Sequence, residues 1–74
     1  MGALFFFDEE VTANDNKSKQ FKCQVEVLDN HGVPEVRIGP VGGAYKGSIA
    51  EFDDRKQFNK FVDALNDLRG RFPQ

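Results

Sequence analysis

Six apolar residues, Phe58, Phe61, Val62, Leu65, Leu68 and Phe72, recur at steps of three and four near the end of the chain. At about 100° per residue they fall within a stripe roughly 120° wide, the pattern of a helix that lies on something flat. The rest of the chain must supply the flat element. Asp53 or Asp54 is placed to accept hydrogen bonds from the first free backbone N–H groups, and Arg69 and Arg71 suit the negative end of the helix dipole. Gly70 offers the left-handed conformation that closes many helices, and Pro73 bars continuation. The spacing therefore predicts a helix over 53–70, with Phe72 folding back as a cap on the core. Its other face, which carries Arg55, Lys56, Asn59, Lys60, Asp63, Asn66 and Asp67, reads as solvated surface.

The strands precede this helix. Residues 3–11 open with Ala3-Leu4-Phe5-Phe6-Phe7 and continue into Asp8-Glu9-Glu10-Val11. A strand sends alternate side chains to opposite faces, so four consecutive large apolar residues load both faces. One helix covers one face only, which leaves Leu4 with Phe6, or Phe5 with Phe7, for a loop or for a partner. Residues 12–18 are small, polar and rich in turn formers, hence a loop. In 19–28, Phe21, Cys23, Val25 and Val27 alternate with Lys22, Gln24 and Glu26, which predicts a strand with the apolar set facing the helix. Asp29-Asn30-His31-Gly32 is a hairpin turn leading to a third strand over 35–39. A second, glycine-rich turn leads to a fourth over 44–51, with Val36, Ile38, Tyr45 and Ile49 on the helix side. The expected architecture is α+β: a four-stranded antiparallel meander with one C-terminal amphipathic helix packed on one face.

At 74 residues the chain holds one core, and a domain of this size buries only about 60% of the surface its unfolded chain exposes. Eight Phe and no Trp supply the large apolar pieces. The single Cys excludes an intramolecular disulfide and a cysteine-built metal site, and with no signal-like or membrane-spanning run the expected location is the cytoplasm. The net charge of −2 argues against a bulk polyanion binder. It is unevenly placed: Asp8, Glu9, Glu10 and Asp15 stand in the first 16 residues without a base, leaving eight acids against ten bases in the rest.

Catalytic and cofactor motifs fail on spacing. Cys23 has no base beside it in the strand, and His31 sits at a turn tip with only Asp29 nearby in sequence. Lys46-Gly47-Ser48 does not open a helix, so it is no phosphate loop, and no βαβ unit serves the glycines for a dinucleotide. Asn14-Asp15-Asn16 lacks the calcium-loop spacing. The expectation is a non-enzymatic binding module without metal or cofactor.

Two resemblances arise around Lys46. Val36-Arg37-Ile38 followed by Gly43-Ala44-Tyr45-Lys46-Gly47-Ser48-Ile49-Ala50 resembles the KOW motif of ribosomal and transcription-elongation proteins over about fifteen residues, with an extra residue before Gly43 and Ala50 in place of a glycine. More broadly, four strands and a C-terminal helix, with Lys46-Gly47 opening the last strand, resemble the positive-cofactor-four type of single-stranded DNA-binding module and its Whirly and Pur relatives. That resemblance implies a homodimer built partly from the helices. It also implies a sheet face that meets single-stranded nucleic acid through Lys46, with Arg37 and Lys22 beside it; to these the Phe run adds Phe5 and Phe7 as candidate stacking groups.

The open face would then carry Lys22, Gln24, Glu26, Arg37, Lys46 and Ser48 with one pair from the Phe run. Base stacking there would contribute roughly 1 to 3 kcal/mol per ring, and phosphate contacts would make binding salt-sensitive. The same features fit a second class, a small acidic protein-binding inhibitor or adaptor of the kind phages and mobile elements encode. It would act through Phe5, Phe7, Asp8, Glu9 and Glu10 against a basic partner.

Overall fold

The computed structural model describes residues 2–73. Four strands, β1 (Ala3–Asn14), β2 (Gln20–Asn30), β3 (Val33–Gly39) and β4 (Ser48–Glu51), form one antiparallel open sheet in the order β1-β2-β3-β4, and helix α1 (Arg55–Arg71) follows. The fold is α+β. Relative to the sequence expectation, β1 runs on to Asn14, β2 to Asn30, and β3 begins at Val33. Only Ser48–Glu51 of the expected 44–51 strand is extended; Ala44–Lys46 forms a 3-10 turn.

The connections follow from residue chemistry. His31 (φ 56°) and Gly32 (φ 91°) both take left-handed conformations, the pair that matches the twist of a two-residue hairpin, and Asp29 Oδ1 accepts from Gly32 N–H at 2.6 Å. Between β1 and β2, Asp15 Oδ1 accepts from the backbone N–H groups of Lys17 and Lys19, so this carboxylate organises its own loop. Between β3 and β4 the glycines permit a close backbone crossing. A Cβ on Gly47 would lie 2.1 Å from the Ile38 carbonyl oxygen, and one on Gly39 would lie 2.6 Å from that of Ala44. Gly47 thus serves packing.

Asp54 caps α1, its Oδ1 accepting from Lys56 N–H at 2.9 Å and Gln57 N–H at 3.4 Å. The helix passes through Gly70 and ends at Arg71, a correction to the expected stop. The reason is Pro73, which biases the residue before it toward extended backbone: Phe72 has φ −74° and ψ 123°. Phe72 does not fold back on a core; it is 72% exposed.

The helix is anchored at its start. Phe52 N–H bonds to the Pro34 carbonyl at the end of the β3–β4 ladder, and its ring lies 5.4 Å from that of Phe58 and 5.0 Å from that of Phe61. Farther along, Leu65 and Leu68 are exposed, so half of the apolar stripe has no cover. The sheet is equally bare. Phe21, Cys23, Val25 and Val27, expected to form the core, are half-buried or exposed, and the one fully buried apolar strand residue is Leu28, at 2% exposure, which alternates with them. The chain exposes 6160 Å², whereas a compact monomer of 8.4 kDa would expose about 4,600 Å². Its radius of gyration is 13.6 Å against about 11 Å for a compact domain of this length.

Two substitutions test this account of the glycines. Gly70 is helical with open space around it, so Gly70→Ala is expected to raise stability by about 0.5 kcal/mol, read as a higher urea midpoint. Gly47→Ala must displace backbone and is expected to cost about 3 kcal/mol. A neutral Gly47→Ala would contradict the crossing.

Candidate functional site

Strand register sorts the side chains into two faces. Asp8, Glu26 and Arg37 stand opposite one another across β1, β2 and β3, and Ile49 of β4 completes the row. The next row on that face is Phe5, Leu28, Glu35 and Glu51. The opposite face carries Leu4 and Phe7 of β1, Val25 and Val27 of β2, Val36 and Ile38 of β3, and Ser48 of β4. Ile49 and Ser48 therefore exchange the faces expected of them, because β4 enters the sheet only at Ser48.

A β-bulge between Phe5 and Phe7 decides the fate of the Phe run. Phe5 lies opposite Leu28 and Phe7 opposite Val27, which are consecutive residues, so Phe5 and Phe7 occupy different faces. They cannot act as one pair, a correction to the expected shared surface. Phe6, the inserted residue, is 71% exposed and lines a cleft of about 300 Å³ together with Val27, Val36, Arg55, Phe58 and Phe61.

The bases expected to meet phosphate are distributed and engaged. Arg37 is largely buried, its guanidinium hydrogen-bonded to Glu35 through Nε and to Glu26 Oε1 through Nη1 at 3.3 Å. Lys22 Nζ is 3.3 Å from Glu10 Oε1 in an exposed pair. Lys46 belongs to the 3-10 turn, where its ammonium sits 5.8 Å from the Tyr45 ring centroid, and it does not join Lys22 and Arg37 in the strand ladder. On the face of Lys22 and Arg37 the register places five carboxylates, Asp8, Glu10, Glu26, Glu35 and Glu51, against those two bases.

Glu35 is the centre of this face and the residue that periodicity alone missed. It is 2% exposed, and Asn30 Nδ2 donates to its Oε1 at 3.2 Å while Arg37 binds its Oε2. Burial alone would push its carboxyl up; the hydrogen bonds from Asn30 and Arg37 and the Arg37 charge outweigh burial and hold it below the ordinary value. The hydrogen bond to Glu35 likewise raises Arg37, against the effect of its own burial. The signal available in the sequence was Glu35-Val36-Arg37, opposite charges two apart on a strand and hence on one face.

The acidic segment of β1 divides in the same way. Asp8 Oδ1 accepts from Gln24 Nε2 at 2.7 Å and Glu10 pairs with Lys22. Glu9 stands opposite Val25, on the face of Leu4 and Phe7, and has no polar partner among the described residues. His31 Nδ1 is 2.9 Å from Asn30 Oδ1, not from Asp29, whose carboxylate is taken by Gly32. Among the described residues no helix is long and apolar enough to cross a membrane, and no group of three or more His, Cys, Asp or Glu residues is placed to hold a metal ion. No protein-family profile, curated protein or solved structure matches the chain.

The Glu35 network makes stability pH-dependent. A carboxyl held lower in the folded chain than in the unfolded one contributes stability in full above the unfolded value of about 4.3, and loses it as the pH falls through the depressed value. Urea unfolding should show this acid limb in the wild type and a flatter one in Glu35→Gln, which is also less stable at pH 7. Arg37→Ala, which strands the buried carboxylate, is expected to cost about 3 to 5 kcal/mol at pH 7.

Proposed function

We propose that this chain is a non-enzymatic protein-binding module that docks a partner on the β1 side of its sheet. The observation that carries this reading is the combination on one strand of exposed Leu4, Phe6 and Phe7 with a free carboxylate, Glu9, two residues beyond Phe7. Isolated exposed apolar residues are ordinary, but Leu4, Phe6 and Phe7, clustered at the start of an edge strand, form a patch of the kind that marks a binding surface. An apolar centre with a charged rim is the usual anatomy of a protein interface. The partner chemistry that fits is an apolar ridge flanked by Lys or Arg.

Single-stranded nucleic acid fits less well, for electrostatic reasons. Binding to phosphate depends on bases that can release counterions, whereas Arg37 and Lys22 already neutralise carboxylates and further acids surround them. Phe5 and Ile49 remain exposed on that face, but a stacking platform without net positive potential holds a strand weakly.

A fluorescence-anisotropy titration separates the two classes. A labelled amphipathic peptide carrying Leu and Arg should bind, and Phe7→Ser or Glu9→Arg should weaken it about tenfold or more. A labelled single-stranded oligonucleotide should not bind at low salt. Oligonucleotide binding that falls steeply with salt, with the peptide inert, would replace this reading with the nucleic-acid one.

A further inference from the structure

The chain itself carries a surface of the chemistry that β1 calls for. The second half of α1 and Phe72 just beyond it present Leu65, Leu68 and Phe72 as one apolar patch, with Arg69 lining it and Arg71 in the last turn of the helix. All three apolar residues are exposed, as are Leu4, Phe6 and Phe7, so neither patch covers the other within one chain. We propose that the occupant of the β1 surface is the α1 end of a second copy of this chain, in a two-fold dimer where each helix end covers the other chain's β1. This inference rests on the β1 reading above and names its partner.

Three observations favour a second copy over an unrelated protein. The patches are complementary in charge: Glu9 rims the strand patch without a partner, and Arg69 rims the helix patch. They are complementary in form, since a helix end is a ridge and a sheet face is flat. The area also fits. The surface exposed beyond a compact monomer of this mass is about 1,500 Å² per chain, so burying it on both partners would remove about 3,000 Å², within the range of obligate homodimers. A two-fold axis makes both contacts at once, because the surface that receives and the surface that inserts lie on every copy.

Light scattering on the full chain should give a mass of twice 8.4 kDa. Leu68→Ser with Phe72→Ser, both exposed in the single chain and therefore harmless to its own packing, should give the single-chain mass with unchanged far-ultraviolet circular dichroism. Glu9→Arg alone and Arg69→Glu alone should each weaken the dimer by about tenfold or more, since each sets like charges together in both contacts. Mixing these two variants should restore dimerisation as a heterodimer, and combining them in one chain should restore the homodimer; a merely unfolded variant would do neither.

A wild-type monomer would overturn the inference, as would a dimer indifferent to Leu68 and Phe72, or a mixture no tighter than its components. The amphipathic peptide distinguishes that failure from failure of the β1 reading. Where the inference holds, the peptide competes with the helix end and binds the Leu68→Ser/Phe72→Ser chain more tightly than wild type. A monomeric wild type that binds the peptide through Phe7 and Glu9 keeps the β1 surface and loses only the second copy. A dimer or a peptide complex insensitive to Phe7 and Glu9 overturns both.

Discussion

A mismatch between the sheet and its cover governs this structure. Strands β1 and β2 have 12 and 11 residues, so the hairpin they form is close to 40 Å long at about 3.3 Å per residue. Helix α1 has 17 residues, about 25 Å, and a helix is broad enough to cover only about two strands. Even laid flat, α1 would leave much of either face bare. It is tied down only at its first turns, by the Phe52, Phe58 and Phe61 rings. Most of what is unusual here follows: the half-buried valines, the uncovered leucines and the large exposed area are consequences of long strands served by one short helix.

Within that constraint, the sheet secures its centre by polar means. Leu28 and Glu35 are the two side chains buried most completely in the strands, and they face one another across β2 and β3. A buried carboxylate is costly to desolvate, and here Arg37 and Asn30 offset the cost while Glu26 takes the other side of the guanidinium. The arrangement fixes the register of β2 against β3, because a slip of one residue would turn Arg37 to the opposite face from Glu26 and Glu35 to the opposite face from Asn30. It also withdraws from solvent the base that composition would otherwise assign to binding.

Much of the architecture was legible because its signals are local. The step of three and four in α1, the alternation in β2 and the Asp29-Asn30-His31-Gly32 turn each depend on neighbours in sequence. The features that escaped are those in which distant backbone decides. Nothing in Phe5-Phe6-Phe7 marks Phe6 as an inserted residue, yet the bulge moves Phe7 away from Phe5 and onto the face of Glu9. Gly47 reads as a strand glycine or a motif residue, and only the approach of the Ile38 carbonyl shows why a side chain is excluded. Gly70 has the composition of a helix stop, but a glycine in open space ends nothing, and the Pro73 ring does. The placement of Lys22, Arg37 and Lys46 was the least legible, since pairing partners in other strands decide whether a base is available.

Strand β1 has a further property as the outermost strand. One edge of its 12 residues is unpaired by the sheet, and a long free edge beginning with Leu4-Phe5-Phe6-Phe7 is a template for pairing with another chain. Asp8, Glu9 and Glu10 sit at its middle. Were two such edges to pair antiparallel about Glu9, Glu9 would face Glu9 and each Asp8 would face a Glu10, three like-charge contacts on adjacent rungs. The bulge at Phe6 disrupts the ladder where pairing about the Phe run would otherwise begin. The same acids that line the middle of β1 therefore oppose edge-to-edge pairing of one copy with another through backbone hydrogen bonds.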